Sequence, residues 1–268
     1  MGSGGTHDRA NHMSTVAVVI PTWNMASTLG RALGTACVGG ADEIVVVDDA
    51  STDGTCSVVQ QWQKTYPHVQ YVRHPEKSQD HNAAQREVWL SLKSDHVIGL
   101  AADDWLYPSA VEAVRRNAHS PVVFTDADAF DEQGQFIHYH ASEFYGDRSA
   151  DEVRCRVRGP ANLIESGVGS SLRRDMVQWL WMMGWDSLGP LMDSIGYGTI
   201  ACLFGATYVQ CKGAGLTVRE RSYGRNPDWT ESDYLTMGMH AVAWMRYAGL
   251  DRETITGFAR KRCRLEVA

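Results

Sequence analysis

A regular alternation of short apolar runs with helix-length segments is the feature that most constrains how this chain can fold. Five runs rich in β-branched residues cover residues 16–20, 43–47, 69–73, 96–100 and 122–125. The first two are almost entirely apolar, which is typical of strands covered on both faces, as in parallel sheets. Because crossover connections between parallel strands are right-handed, the pattern predicts a doubly wound α/β sheet.

Helices are predicted in the gaps between these strands, over residues 27–36, 55–64, 82–92 and 109–117. Ser27 and Ser109 are expected to be N-caps, because a serine hydroxyl can accept a hydrogen bond from the free N–H groups of the first turn.

The pattern changes after residue 125. The sequence Asp-Glu-Gln-Gly at residues 131–134 predicts a turn between two strands, and Ser149 with Glu152 fits a capping box for a short helix. Trp179, Trp181 and Trp185 lie in an apolar segment, where core packing is the favoured interpretation and sugar stacking the alternative. Further helices are predicted over residues 173–183, 192–204, 232–247 and 252–262, and short strands over 207–210 and 216–218.

Composition excludes several classes of protein. The 268 residues are 44% apolar, enough for a sizeable core, and no stretch reaches the roughly 18 apolar residues of a membrane span. Lys and Arg number 25 against 32 Asp and Glu, and the net charge of -7 opposes long-range attraction to nucleic acid or anionic lipid. The basic run at residues 260–264 is interpreted as a solvated helix end, so membrane contact is possible but not favoured.

The cysteines and the first residues bear on where the protein works. Six cysteines are scattered without disulfide or zinc-binding spacing, which predicts reduced thiols. Residues 1–13 are Gly-rich and lack the apolar core of a secretion signal, so we expect a disordered leader or tag. Together these features favour a cytoplasmic protein.

Polar side chains follow three of the predicted strands, at the edge where parallel sheets bind ligands. The first strand is followed by residues 21–24, of sequence Pro-Thr-Trp-Asn, the second by Asp48 and Asp49, and the fourth by Asp103 and Asp104. Carboxylates that converge repel each other unless a cation or a donor-rich ligand joins them, and oxygen ligands suit Mg²⁺ or Mn²⁺. The sequence therefore predicts a divalent metal that holds phosphate groups.

Residues 43–55, of sequence Glu-Ile-Val-Val-Val-Asp-Asp-Ala-Ser-Thr-Asp-Gly-Thr, resemble the second strand and loop of the family 2 glycosyltransferases. Residues 18–24 are similar to the opening of that family, which usually has Tyr where Trp23 stands. The resemblance covers roughly residues 15–221. It implies the GT-A fold, a Rossmann-like, mostly parallel sheet with a C-terminal acceptor-binding helical portion. It also implies a metal-dependent, inverting transfer of sugar from a nucleoside-diphosphate sugar, with UDP or dTDP favoured, to a hydroxyl group.

The resemblance implies roles for the residues that follow the strands. Nucleotide-sugar binding falls to Asp49, which would accept a hydrogen bond from the base, to Asp103, and to Pro21, Thr22, Trp23 and Asn24. Asp104 would bind Mn²⁺ or Mg²⁺.

Arg86 lies in a segment similar to the family's Ala-Arg-Asn sequence, which implies contact with a phosphate or a carboxylate. A surface helix charge is the alternative. The resemblance divides a single domain, residues 14–268, into a nucleotide-sugar-binding half, 14–126, and an acceptor-binding and catalytic-base half, 127–268.

The same resemblance places the catalytic base in the second half. Residues 169–175 and the sequence Gly-Trp-Asp at 184–186 are similar to the run before the family's Glu-Asp dipeptide, and Asp193 stands in register with its Asp. Asp193 is therefore expected to be the general base, with Asp186 and Asp175 as alternatives. Whether Arg221 or another downstream residue completes the metal site stays open.

The acceptor is expected to be a glycan, a lipid-linked hydroxyl or a small molecule, and no nucleic-acid partner is expected. Two other functions stay open. The first is an inactive sugar-nucleotide or glycan-binding protein of the same fold, because Met192 replaces the family's Glu. The second is a nucleotidyltransferase, which would need a basic residue in a phosphate loop after the first strand, and residues 22–30 contain no Lys or Arg.

Overall fold

A computed structural model describes residues 13–78, 83–142, 144–159, 169–218 and 230–263. A single mixed sheet lies at its centre. Its strands are β1 Val16–Thr22, β2 Glu43–Asp48, β3 Val69–Arg73, β4 His96–Gly99, β5 Trp105–Leu106, β6 Val122–Phe130, β7 Phe136–His140, β8 Gly146–Arg148, β9 Ser171–Arg173 and β10 Ala206–Thr217. The spatial order is β3-β2-β1-β4-β9-β6-β10-β5, with β7 paired to β6 and β8 to β10.

Helices cover both faces of this sheet. They are α1 Ala26–Val38, α2 Thr55–Thr65, α3 Arg86–Ser91, α4 Ala110–Arg116, α5 Ala150–Arg158, α6 Arg174–Met182, α7 Met192–Phe204, α8 Glu231–Tyr247 and α9 Arg252–Phe258. A 3₁₀ turn at Ala83–Gln85 precedes α3, a second at Trp185–Leu191 precedes α7, and a π-helical turn at Ala259–Cys263 follows α9.

The buried alternation along β1 shows how the layers form. Successive strand residues point to opposite faces of the sheet. Val16, Val18 and Ile20 pack in a core with α1, α2 and α4, whereas Ala17 and Val19 pack in a second core with α3 and α5–α9. Strands β1, β2, β3 and β4 are parallel, so the predicted doubly wound α/β arrangement is confirmed.

Two local predictions in the second half are confirmed. The turn at residues 131–134 joins β6 and β7 as an antiparallel hairpin, with the Gly134 N–H donating to the Asp131 carbonyl oxygen at 3.0 Å. Ser149 and Glu152 form the capping box of α5, in which the Glu152 N–H donates to the Ser149 hydroxyl at 3.3 Å.

Other local predictions differ from the structure wholly or in part. Helix α1 begins at Ala26, so Ser27 lies inside the helix and is not its N-cap. Ser109 is the N-cap residue of α4 but makes no side-chain capping bond, because its hydroxyl donates to the Lys212 carbonyl oxygen at 3.0 Å. The short strands predicted at 207–210 and 216–218 are parts of one strand, β10, whose pairing with β6 is irregular between them.

Strand β9 was not predicted at all. Its three residues insert antiparallel between β4 and β6, where Leu172 faces both Val97 and Val122. A strand of three residues is too short to show an alternating pattern in the sequence. Its pairing with β4 and β6 makes it a strand. Trp181 and Trp185 are core residues, as favoured, with exposures of 1% and 0%, whereas Trp179 is partly buried and packs against the core. Over the described residues, no helix combines the length and apolarity needed to cross a membrane.

Candidate functional site

A pocket of about 410 Å³ lies at the carboxyl edge of β1, β2 and β4. These strands are parallel, so the segments that follow them meet at one edge of the sheet. The pocket brings together five of the residues that sequence analysis assigned to nucleotide-sugar binding: Pro21, Thr22, Trp23, Asp49 and Asp103. Met25, Lys77, Ser78, Ala101 and Ala102 also line it.

Two residues that line the pocket carry buried polar groups. The Asp49 carboxylate, 2% exposed, accepts a hydrogen bond from the Ser78 N–H at 2.8 Å. The Thr22 hydroxyl is also 2% exposed, and none of the described residues bonds to it. Because a buried polar group without a partner is costly, a bound ligand that bonds to the Thr22 hydroxyl would remove an energetic penalty.

The pocket wall pairs a cation with an aromatic ring. The Lys77 ammonium nitrogen lies 2.9 Å from the centre of the Trp23 ring, in the geometry of a cation–π interaction. Trp23 is 41% exposed, so this aromatic side chain is accessible from the pocket. Sequence analysis did not identify Lys77, which follows β3 with no motif around it.

Asn24 joins two of the loops beside the pocket. Its side-chain oxygen accepts from the Thr52 N–H at 2.8 Å, and its own N–H donates to the Ser51 hydroxyl at 2.8 Å. These bonds tie the loop after β1 to the loop after β2, and Asn24 is not among the pocket-lining residues. Asn24 and Ala50 adopt left-handed backbone angles, φ 52° and 60°. Such conformations persist in non-glycine residues where surrounding contacts impose them.

Asp103 lines the pocket, and Asp104 follows it where the chain passes from β4 to β5. Asp104 is 5% exposed and its Oδ1 accepts from the Thr217 N–H at 2.7 Å. The Asp103 carbonyl oxygen accepts from the Thr217 hydroxyl at 2.8 Å and from the Arg31 guanidinium at 2.6 Å. The end of β10 therefore fixes both acids, a contact that the sequence did not reveal.

The two adjacent carboxylates fit a divalent cation that is shared with a substrate. Mg²⁺ is commonly held by one or two carboxylates together with substrate phosphates, and less often by a complete protein cage. Across the described ranges, no group of three or more His, Cys, Asp or Glu side chains could hold a metal. Asp103 and Asp104 would thus need ligand oxygens to complete a metal site. His138 and His140 lie 2.7 Å apart at their Nε2 atoms on exposed β7, without a third ligand among the described side chains.

Arg86 is the first residue of α3, is exposed, and is not among the pocket-lining residues. Arg221 lies outside the described residues.

Asp193 lies in the first turn of α7. Asp193 is exposed to solvent, and desolvation by neighbouring protein atoms raises the pKa of its carboxylate to about 6. Tyr197 lies one turn further along α7. Burial is the main cause of its raised pKa, the negative charge of Asp193 adds to the rise, and a backbone hydrogen bond at Gly99 opposes it. Since Gly99 ends β4, the start of α7 lies beside the strand that leads to Asp103.

The two alternative bases have different surroundings. Asp175 lies in the first turn of α6 and pairs with Arg173, with nitrogen–oxygen distances of 2.7 and 2.8 Å, which lowers the pKa of Asp175. Arg173 faces His96, the first residue of β4, so Asp175 lies at the edge opposite to the pocket. Asp186 lies in the 3₁₀ turn before α7 and is partly exposed.

A larger cavity, of about 790 Å³, lies between α5 and α9. Four cationic side chains line it, those of Arg158, Arg252, Arg260 and Lys261. None of the residues that follow the strands of the carboxyl edge contributes to it, so its volume says nothing about the site described above.

Solved structures identify the fold. A fragment of S. aureus TarS, residues 1–349, is similar with a TM-score of 0.67 at 14% identity, covering 92% of this chain and 71% of that one. The same fragment in complex with UDP-GlcNAc gives 0.67 at 14% identity, with 94% and 73% covered. The mannosyltransferase PcManGT from Pyrobaculum calidifontis, in complex with GDP-Man and Mn²⁺, gives 0.58 at 20% identity, with 95% and 71% covered. The fold is therefore the GT-A fold of glycosyltransferases.

The sequence comparison defines the family. Residues 17–181, more than half of the chain, match the family described as glycosyl transferase family 2. The chain belongs to this family and is a glycosyltransferase that uses nucleotide sugars. A comparison with curated protein sequences gave no match.

Proposed function

We propose that this protein transfers a sugar from a nucleoside-diphosphate sugar to an acceptor hydroxyl, with inversion at the anomeric carbon and with the help of a divalent cation. The observation that carries the proposal is the pocket at the carboxyl edge, where Trp23, Asp49 and Asp103 meet. An aromatic face, a buried acceptor for a base N–H and a rim carboxylate are the groups that a nucleotide sugar requires.

The donor binds through the loops after β1, β2 and β3. Pro21, Thr22 and Trp23 enclose the nucleotide, and Asp49 accepts from the ring N–H of the base. Uracil and thymine carry an N–H between two carbonyl groups, which suits a carboxylate acceptor and favours UDP or dTDP. Asn24 acts by holding two of these loops together, and Arg86 meets a phosphate as the donor seats.

Asp104 would hold Mn²⁺ or Mg²⁺, and Asp103 would face the ribose or the cation. When bound, the cation neutralises charge that develops on the leaving diphosphate. The Thr217 N–H positions the Asp104 carboxylate for this contact.

Asp193 acts as general base. It takes the proton from the acceptor hydroxyl as that oxygen attacks the anomeric carbon, and the bond from that carbon to the phosphate oxygen breaks. The nucleoside diphosphate leaves with the bonding electron pair. A raised pKa suits the role, because a general base works best when its pKa lies near the working pH.

We further propose that residues 14–268 form one domain. Residues 14–126 bind the donor, and 127–268 bind the acceptor and carry the base. The acceptor is a glycan, a lipid-linked hydroxyl or a small molecule. The free thiols of Cys37, Cys56, Cys155, Cys202 and Cys211 suit a reducing compartment such as the cytoplasm.

Replacing the base tests the proposal. We expect Asp193→Asn to lower turnover roughly 10²- to 10⁴-fold, the usual contribution of general-base catalysis, with donor affinity nearly unchanged. Asp175→Asn is the matched control, because that acid also lies in the first turn of a helix but at the opposite edge, and its turnover should stay normal. Nucleoside diphosphate release measures turnover, and calorimetry measures donor binding.

The stereochemistry of the product gives an independent check. A single displacement on an α-linked donor yields a β-linked glycoside, which NMR coupling constants identify. An α-linked product would refute the mechanism. Nucleotide-sugar binding by the wild-type protein without release of nucleoside diphosphate, across a mixed pool of acceptors, would instead support an inactive binding protein.

A further inference from the structure

The start of α7 is held from outside the helix. Its N-cap residue, Leu191, makes no side-chain capping bond. The Trp185 indole N–H instead donates to the Met192 carbonyl oxygen at 2.6 Å. Met192 immediately precedes Asp193, and Trp185 is fully buried. A rigid ring thus bonds directly to the backbone unit that carries the proposed base.

Gly196, one turn into α7, makes room for this ring. A Cβ atom at Gly196 would lie 2.2 Å from Trp185 Nε1 and 2.9 Å from its Cδ1. Glycine is unfavourable in a helix interior, so its presence here needs a packing reason. The close approach of the indole to the helix backbone supplies that reason.

The same ring connects α7 to the strand of the metal-site acids. Trp185 packs edge-to-face on Trp89, with ring centres 5.6 Å apart. Trp89 in turn packs on Gly99, where a Cβ atom would lie 3.3 Å from its ring. Gly99 ends β4, from which the chain continues to Asp103. Packed aromatic rings therefore bridge the acceptor side and the donor side of the site.

We propose that Trp185 and Gly196 are positioning residues that set the place of Asp193 relative to the bound donor. The inference rests on the proposed role of Asp193 as general base. Protein interiors are close-packed, and aromatic rings have few alternative rotamers. The packed rings of Trp185 and Trp89 therefore keep the start of α7 at a fixed distance from β4. Neither residue touches substrate in this role.

Trp185→Phe tests the hydrogen bond. We expect turnover to fall by roughly tenfold to a hundredfold, because misplacing a catalytic group by about an ångström can cost a hundredfold. Nucleotide affinity by calorimetry should be unchanged. Trp181→Phe is the matched control: Trp181 is equally buried and packs on Trp185, but no described residue bonds to its indole N–H. Its turnover should stay within about threefold of wild type, since no bond to the helix is lost.

Gly196→Ala tests the close approach. We expect a similar loss of turnover, with Gly30→Ala as control because a Cβ atom there would meet Trp62 at an ordinary 3.7 Å. A phenylalanine at position 185 lacks the ring nitrogen, which is the atom nearest to a Cβ atom at position 196. The double variant Trp185→Phe/Gly196→Ala should therefore lose much less turnover than the sum of the single effects.

The outcomes separate this inference from the proposed function. If Asp193→Asn is inactive while Trp185→Phe and Gly196→Ala turn over normally, the positioning role is wrong and the base assignment stands. If Asp193→Asn is fully active, the base assignment fails first. Should Gly196→Ala not fold, as judged by circular dichroism, Trp185→Phe alone decides. A loss of nucleotide affinity equal to the loss of turnover would also overturn the positioning role.

Discussion

At the scale of single residues, the pocket at the carboxyl edge contains one cationic side chain and two carboxylates. The Lys77 ammonium lies on the ring of Trp23, in a pocket that also contains Asp49 and Asp103. A cation–π contact is worth about 0.5–2 kcal/mol, less than many charge-assisted hydrogen bonds. If the pocket binds the donor as proposed, we expect the diphosphate to draw Lys77 away from Trp23 and to expose the ring face to the base.

Lys77→Met should weaken binding of the nucleoside diphosphate by about 1.5–3 kcal/mol, the range for hydrogen bonds to charged groups, or roughly 10- to 150-fold in Kd. Calorimetry at low and high salt measures it, and the wild-type affinity should fall more steeply with salt. Lys93→Met, on an exposed residue before β4, is the control. Equal affinity for the Lys77 variant would place this ammonium outside the donor site.

The raised pKa of Asp193 has a consequence for stability. The folded state binds this proton more tightly than the unfolded state, because the pKa rises from its usual value to about 6. Any stabilisation from the protonated form is complete below the unfolded pKa and is lost as pH rises through about 6.

The Asp193→Asn variant has no carboxylate at this position, so it does not lose this stabilisation as the pH rises. The melting temperature of the variant should therefore exceed that of wild type more at pH 8 than at pH 4, by calorimetric scans. In wild type, turnover should fall as pH drops below about 6, since the base becomes protonated. A pH-independent difference in melting temperature would show that the carboxylate is not desolvated.

At the scale of elements, capping depends on where a helix begins. Ser149 caps α5 with its hydroxyl and accepts from the Glu152 N–H, whereas Ser27 is one residue inside α1. In the sequence, a serine near the start of a helix looks the same whether it precedes the helix or lies within its first turn. Only the backbone geometry distinguishes the capping serine from the internal one.

Ser149→Ala should lower the free energy of unfolding by about 1 kcal/mol, the usual cost of losing an N-cap. Ser27→Ala should be neutral or slightly stabilising, by at most about 0.5 kcal/mol, because alanine is the better helix former. Urea denaturation of both variants measures the difference. Equal losses would mean that the Ser27 hydroxyl caps α1.

At the scale of the whole molecule, donor binding stabilises the folded state by mass action. A ligand at 100 times its Kd adds about 2.7 kcal/mol. For a chain of this size, about 2–4 °C per kcal/mol gives a rise of roughly 5–10 °C in melting temperature. The rise measures binding without any knowledge of the acceptor.

We expect UDP or dTDP to produce this rise with Mn²⁺ and a much smaller one in EDTA. Asp104→Asn can keep the bond from the Thr217 N–H, since its Oδ1 remains an acceptor. The variant should therefore melt like wild type without ligand but lose the Mn²⁺-dependent rise. A full rise in EDTA would contradict the metal assignment.

How much the sequence determined depends on the range of the interactions. The alternating runs predicted the parallel strands and most helices, because strand burial and helix periodicity are local properties of the chain. The acids after β2 and β4 could be placed at one edge because parallel strands share their direction. The family assignment followed from the same segments and is confirmed.

Only the tertiary structure decided the rest. Lys77 contacts the Trp23 ring because the segment after β3 lies beside the segment after β1. The Thr217 N–H bonds to Asp104, which is 113 residues away in the sequence. The three residues of β9 become a strand through pairing on both sides. Trp185 and Gly196 fit together because a ring and a helix backbone meet in space. Such contacts depend on packing between distant segments, and no local pattern encodes them.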